Sequence, residues 1–123
     1  MPEANFVILY VESPAASVTF YEDLLGRPPI ESSPTFAMFT LHGESMLGLW
    51  SRSTVEPLPA AAPGGSEIGL TVDRAATVDA VHDDWHRRGI VIAQPPTTMD
   101  FGRTFVALDP DGHRLRVFAQ TGR

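Results

Sequence analysis

The chain contains no cysteine and no lysine; all nine of its basic residues are arginine. Without a thiol there is no nucleophilic cysteine, no thiolate zinc site, no iron–sulfur cluster and no disulfide staple. Without a lysine amine, Schiff-base chemistry, a pyridoxal phosphate anchor and a Walker-type phosphate loop are excluded. Long hydrophobic runs are missing as well. The longest near the N-terminus, Phe6 to Tyr10, is far too short to span a bilayer, and no basic region and cleavage site frame it as a signal peptide. Positive charge is also scarce. A formal net charge of −6 would repel a phosphate backbone, and no local run of arginines offsets it. These absences lead us to expect a soluble, cytoplasmic protein that binds neither nucleic acid nor membrane.

What is present describes one globular domain. The 123 residues, 43% of them apolar, suffice for one core and not for two, since typical domains hold roughly 100 to 200 residues. Phe6 to Val11 is β-branched and aromatic and reads as a strand buried on both faces or nearly so. Ser13 and Pro14 then form a helix-start signal, and Val18, Tyr21, Leu24 and Leu25 recur at helical spacing until Gly26, which predicts a helix over about 14–25. After the Pro28-Pro29 break, Phe36 to Leu41 and Ser45 to Trp50 read as a hairpin joined through His42, Gly43 and Glu44.

The stretch from Glu56 to Gly65 is rich in Pro and Gly and reads as a linker. The pattern then repeats. Glu67 to Val72 alternates as a strand; a helix follows with Val78, Val81 and Trp85 on one face and Gly89 at its end; Ile90 to Ala93 is a short strand before a second Pro-Pro break. Thr104 to Leu108 and Arg114 to Phe118 form a hairpin across the turn Asp109-Pro110-Asp111-Gly112. The order is βαβββ twice, with an offset of about 61 residues between Val11 and Val72. Within the single domain we expect unit one over about 5–55, the linker over about 56–65 and unit two over about 66–120. Each unit should cover one sheet face with its helix, and two such half-sheets facing each other would make a cup suited to a small ligand.

Two segments, VESPAASVTFYEDLLG and FGRTFVALDPDGHRLRVF, together with the duplicated order, resemble the vicinal-oxygen-chelate superfamily of glyoxalase I, extradiol dioxygenases and bleomycin-resistance binding proteins. The resemblance covers nearly the whole chain and implies an α+β fold in which two βαβββ units form a cup-shaped mixed sheet. Within that superfamily, LGLWSR, SEIGLTV and FGRTFVALDPDGHRLRV look most like the phenazine-antibiotic resistance proteins, which bind drugs rather than transform them.

The enzymes of the superfamily hold a divalent metal through His and Glu on the first and last strands of each unit. Alignment on the shared motifs puts Phe6, Gly48, Glu67 and Arg116 at those four positions. Only Glu67 can ligate, so neither metal nor other cofactor and no catalytic residue is expected. Alternation then assigns the cup-facing side chains: Met46, Gly48 and Trp50 on one strand, and, for an even-numbered hairpin loop, Phe39 and Ala37 on the next. Phe39 and Trp50 would flank a gap floored by Gly48, room for a flat conjugated guest held by stacking. The resemblance likewise implies aromatic drug contacts at those two positions. Glu67 and Arg116 become cup-facing neighbours, with Thr71 and Phe118 on the same face. Arg116 either fills the vacated metal position as an ion pair or meets an acidic group of the ligand.

Other motifs carry plainer readings. His82-Asp83-Asp84-Trp85-His86 spaces two histidines like a zincin helix, but Val78, Val81 and Trp85 define the buried face and no further ligand follows, so a solvated helix flank is expected. His42 and His113 sit at hairpin turns. Gly43-Glu44-Ser45 lacks the glycine a hydrolase elbow needs at Leu47, and Asp109 and Asp111 should bond the backbone of their own turn.

The function these readings favour is metal-independent binding and sequestration of a planar aromatic small molecule, a phenazine-like antibiotic, conferring resistance. The rival is a metal-dependent lyase, isomerase or dioxygenase of the superfamily; a third is a domain acting only through protein contacts. Short two-unit chains of this superfamily commonly complete each cup with a second subunit, so the resemblance also implies a homodimer with shared sites.

Overall fold

The computed structural model of the chain describes residues 1–120 and divides into two compact units, Met1–Ala62 and the chain from Pro63 onward. Unit one runs β1 (Phe6–Val11), α1 (Pro14–Leu25), β2 (Glu31–Ser32), β3 (Phe36–Thr40) and β4 (Met46–Ser51). Its four strands lie in the order β1-β4-β3-β2, with β1 parallel to β4 and the other pairs antiparallel. Unit two runs β5 (Glu67–Thr71), α2 (Ala75–Arg87), β6 (Val91–Met99), β7 (Gly102–Leu108) and β8 (Arg114–Gln120). Its sheet repeats the pattern as β5-β8-β7-β6, again with a parallel first pair. Each unit is thus a βαβββ α+β layer pair.

The helices begin and end where their caps dictate. The Ser13 hydroxyl accepts the Ala16 N–H at 3.2 Å, Pro14 occupies the first turn, and Gly26 closes α1 at φ 70° in the left-handed region that favours glycine. α2 lacks a side-chain cap, but Thr77 donates to the Asp73 carboxylate at 2.6 Å just ahead of it. Tyr21 of α1 packs against Phe39, and Trp85 of α2 lies edge-on to Phe105, so each helix seats one large ring on its own sheet.

Three expectations about the strands are corrected. β1 is not buried on both faces: only Leu9 and Val11 are buried, while Phe6, Val7 and Ile8 are each about 44–45% exposed. It is an edge strand whose even-numbered side chains have no helix over them. The second strand of unit one, to which the sequence pattern assigned no segment, is the two-residue β2, which is too short and too polar to show a period in sequence. β6 does not stop at Pro95-Pro96 but continues to Met99, absorbing the prolines through irregularities between Ile92, Gln94 and Thr97. It tolerates them because it lies at the sheet edge, where a missing N–H breaks no ladder on its outer side.

Candidate ligand-binding site

Each sheet has one face packed by its helix and one face that its own unit leaves open. In unit one the helix side carries Leu47, Leu49, Ala37 and Phe39, all essentially inaccessible. The opposite side carries Met46, Gly48 and Trp50 of β4 and, through the register Phe36↔Trp50, Met38↔Gly48 and Thr40↔Met46, the even-numbered residues of β3. Phe6, Ile8 and Tyr10 of β1 share this side by pairing with Met46, Gly48 and Trp50. The expected placements of Phe6, Met46, Gly48 and Trp50 on one face therefore agree with the register.

Phe39 and Ala37 do not belong there. Phe39 pairs with Leu47 and lies fully buried beneath Tyr21 on the helix side, and its place beside Trp50 is taken by Phe36, whose ring meets the indole edge-on at 6.3 Å. The reason is loop parity. The Leu41 N–H donates to the Ser45 carbonyl, so the hairpin closes over the three residues His42, Gly43 and Glu44, an odd number that shifts every partner by one. That triplet was visible in the sequence.

Gly48, itself buried, lets the rings of this apolar face close in. A Cβ there would stand 2.9 Å from Phe6 Cε1 and 3.1 Å from the Phe36 ring, so the two phenyl edges close over the backbone where a side chain would otherwise stand. Trp50 in turn lies against Phe36, so the three rings form one aromatic patch.

In unit two the open face is polar at the matching positions. Arg116 Nε and Nη2 donate to the two oxygens of Glu67 at 2.8 and 2.9 Å, while Nη1 donates to the Gln94 side-chain carbonyl and to the Thr104 hydroxyl, each at 3.2 Å. Arg114 Nη2 lies 3.1 Å from the same Glu67 carboxylate. Thr104, fully buried, donates its hydroxyl hydrogen bond to the Val117 carbonyl at 2.9 Å. Hydrogen bonding from Arg116 holds the Glu67 carboxyl below its ordinary value; burial opposes this, and the charges of Arg116 and Arg114 add to it. Phe118 lies over Gly69, and Phe101 meets it edge-on at 5.9 Å. Thr71 pairs with Phe118 on this side.

The remaining motifs have structural work. His82 is half-buried rather than solvated, edge-on to Phe105 at 5.4 Å and stacked on His86. Oδ1 of Asp109 accepts the backbone N–H groups of Asp111 and His113 at 2.9 and 2.8 Å, which pins the turn.

These observations assemble a duplicated βαβββ chain with one aromatic and one ion-paired sheet face, and residues 4–117 match the family model of the Glyoxalase/Bleomycin resistance protein/Dioxygenase superfamily. The chain belongs to this superfamily. One relative of this glyoxalase-superfamily chain is the phenazine antibiotic resistance protein EhpR of Enterobacter agglomerans, 33% identical over 116 residues that span 92% of this chain and 88% of EhpR. A protein from Agrobacterium tumefaciens, solved by solution NMR, is 49% identical with a TM-score of 0.90 over 99% of this chain and 100% of its own. A glyoxalase/bleomycin resistance protein/dioxygenase from Nocardioides is 25% identical, with a TM-score of 0.82 over 100% of this chain and 89% of that one. Among the described residues no helix is long and apolar enough to cross a membrane.

The divalent metal that the resemblance implies for the superfamily's enzymes does not fit the residues at the four positions the resemblance assigns to its ligands. A phenyl ring at Phe6 and a bare backbone at Gly48 offer no donor, and the guanidinium of Arg116 occupies both oxygens of Glu67.

Proposed function

We propose that this superfamily member binds and sequesters a planar aromatic small molecule of the phenazine class, without a metal, and so confers resistance to it. The observation that carries this reading is the aromatic patch of Phe6, Phe36 and Trp50, drawn together over Gly48 on a sheet face that the helix of its unit does not cover. A flat ring system lying against such a face exchanges water for aromatic contact on a broad area. Sequestration needs affinity and no reacting group, which matches a face without nucleophile or acid–base pair. The relationship to a phenazine resistance protein supports the choice of guest. The reading includes a homodimer, and a monomer in sedimentation that binds phenazine at full stoichiometry would contradict that part of it.

Tryptophan fluorescence tests the site. Phenazine should quench Trp50 and raise the apparent thermal stability, because a ligand of the native state alone stabilises it. Stacking on an aromatic platform is worth roughly 1 to 3 kcal/mol per ring, so Trp50→Ala should weaken binding about ten-fold or more while the domain stays folded. In the same titration Trp85, buried against Phe105, should respond little. Undiminished phenazine affinity in folded Trp50→Ala removes the site, and one zinc, nickel, iron or manganese per chain after gentle purification removes the metal-free reading.

A further inference from the structure

Arg116 offers five N–H groups and four of them are already committed, two to Glu67, one to Gln94 and one to Thr104. The bidentate contact with Glu67 is the geometry in which a guanidinium would receive a carboxylate from outside. Glu67 therefore sits in the seat of an anionic guest. It is tethered beside the guanidinium, so an external carboxylate must compete with an intramolecular one at high effective concentration. The supports are fixed: Thr104 is buried and bonded to the backbone, and the Arg116 side chain retains only 19% exposure. Two guanidinium groups, Arg114 and Arg116, share the one carboxylate, so its removal leaves two unbalanced positive charges facing the same place.

We infer that Glu67 is the specificity-determining residue of the open face of unit two: by holding the Nε–Nη2 edge of the Arg116 guanidinium, while Gln94 and Thr104 take Nη1, it denies that group to carboxylate ligands and restricts the face to uncharged aromatic guests. The nature of the guest rests on the function proposed above; the blocking of Arg116 does not. The face retains an aromatic surface, Phe118 over Gly69 with Phe101 against it, on which an uncharged ring finds contact without displacing Glu67.

Two measurements test this. The first follows the Arg116 Nε–H resonance in the full chain while sodium benzoate is added. In the parent it should stay still at concentrations that saturate Glu67→Gln, where it should shift with at least ten-fold higher apparent affinity. Glu67→Ala, which leaves no amide behind, should behave alike, and spectral dispersion reports that each variant is folded. Benzoate binding should vanish in the double variant Glu67→Gln/Arg116→Met, followed by the backbone N–H of position 116. A parent resonance that moves as readily as that of the variants, or a gain that survives loss of Arg116, overturns the inference.

The second compares phenazine with phenazine-1-carboxylate at neutral pH. The parent should bind the uncharged compound at least as tightly, and Glu67→Gln should move the ratio ten-fold or more toward the carboxylate. A parent that prefers the carboxylate ten-fold, or a ratio untouched by Glu67→Gln, counts against the role of Glu67. Absence of binding by either phenazine, with the benzoate result as expected, defeats the proposed function and leaves the blocking of Arg116 standing.

Discussion

The two units share one strand order and one register, yet their open faces are built from opposite chemistry. Gly48 is paired with Ile8 and Met38 just as Arg116 is paired with Gly69 and Val106. By the same ladders Phe6 corresponds to Glu67, Phe36 to Thr104 and Trp50 to Phe118. In unit one the rings of Phe6 and Phe36 close over a glycine; in unit two the side chains of Glu67 and Thr104 close around a guanidinium. Both arrangements fill the same cross-strand space. One excludes water from hydrocarbon, and the other satisfies each charge with hydrogen bonds.

The helix-facing sides were not exchanged in this way. Leu47 and Leu49 correspond to Leu115 and Val117, all buried. The large residue of the neighbouring strand moves by one pleat, with Ala37 and Phe39 in unit one answered by Phe105 and Ala107 in unit two. Phe39 meets Tyr21, while Phe105 meets Trp85. A duplicated fold can thus specialise through a few residues of its open face while the packed face conserves volume, because the two faces of a strand are independent sets of side chains.

The largest expected effect tests that division. Phe39→Ala and Phe105→Ala each empty a sealed core site and should lose about 3 to 5 kcal/mol in chemical denaturation. Phe36→Ala, on the open face, should lose under about 2 kcal/mol and instead weaken phenazine binding. Equal losses at Phe36 and Phe39 would show that the first unit does not separate a core face from a binding face.

This pair of residues also shows what sequence can and cannot say. Caps and periodicity specify the helices locally, so Ser13, Pro14 and Gly26 marked α1 to the residue. The duplicated order was legible in the repeated pattern, and alternation applied to the positions implied by the resemblance made Glu67 and Arg116 neighbours; of the two roles left open for Arg116, ion pair or ligand contact, the structure shows the ion pair. Face assignment across a hairpin depends on loop parity, and one residue of error carried Phe39 to the wrong side and hid Phe36. The exposure of β1 was illegible for a different reason. A run of apolar residues reads as buried whether its partner is the core of its own unit or a surface awaiting a ligand or another chain. Pro95 and Pro96 likewise signal a break in a central strand but not at an edge.

A smaller effect sharpens the comparison at the glycines. A Cβ on Gly48 meets ring edges at 2.9 and 3.1 Å, and those rings must turn aside; a Cβ on Gly69 meets the Phe118 ring, no nearer than 3.3 Å. Gly48→Ala should cost about 1 kcal/mol, the low end for an overpacked site whose neighbours can move, and should reduce phenazine affinity by pushing the Phe6 and Phe36 rings out of place. Gly69→Ala should be milder in stability and leave quenching of Trp50 less changed. If Gly48→Ala binds phenazine as the parent does, the closing of the rings over Gly48 is only a packing device.

The smallest effect separates the ion-paired face from the hydrocarbon one by pH. The folded-state value of the Glu67 carboxyl lies below its ordinary 4.5 because Arg116 bonds the charged form. Its contribution to stability is therefore complete above that ordinary value and is lost as pH falls through the lowered one, where the folded state too becomes protonated. Both side chains keep some exposure, 31% for Glu67 and 19% for Arg116, so the contribution should be under about 1 kcal/mol and should shrink with added salt. Asp73, whose carboxyl is lowered chiefly by the Thr77 hydroxyl, titrates in the same direction and gives every variant a common background. Denaturation midpoints between neutral pH and pH 3 should accordingly fall less steeply for Glu67→Gln than for the parent, whereas Phe6→Leu at the corresponding position of unit one should leave the slope unchanged. Identical slopes for parent and Glu67→Gln would mean that the carboxylate gains nothing from Arg116 on folding, and that the polar face, unlike the aromatic one, is merely solvated surface.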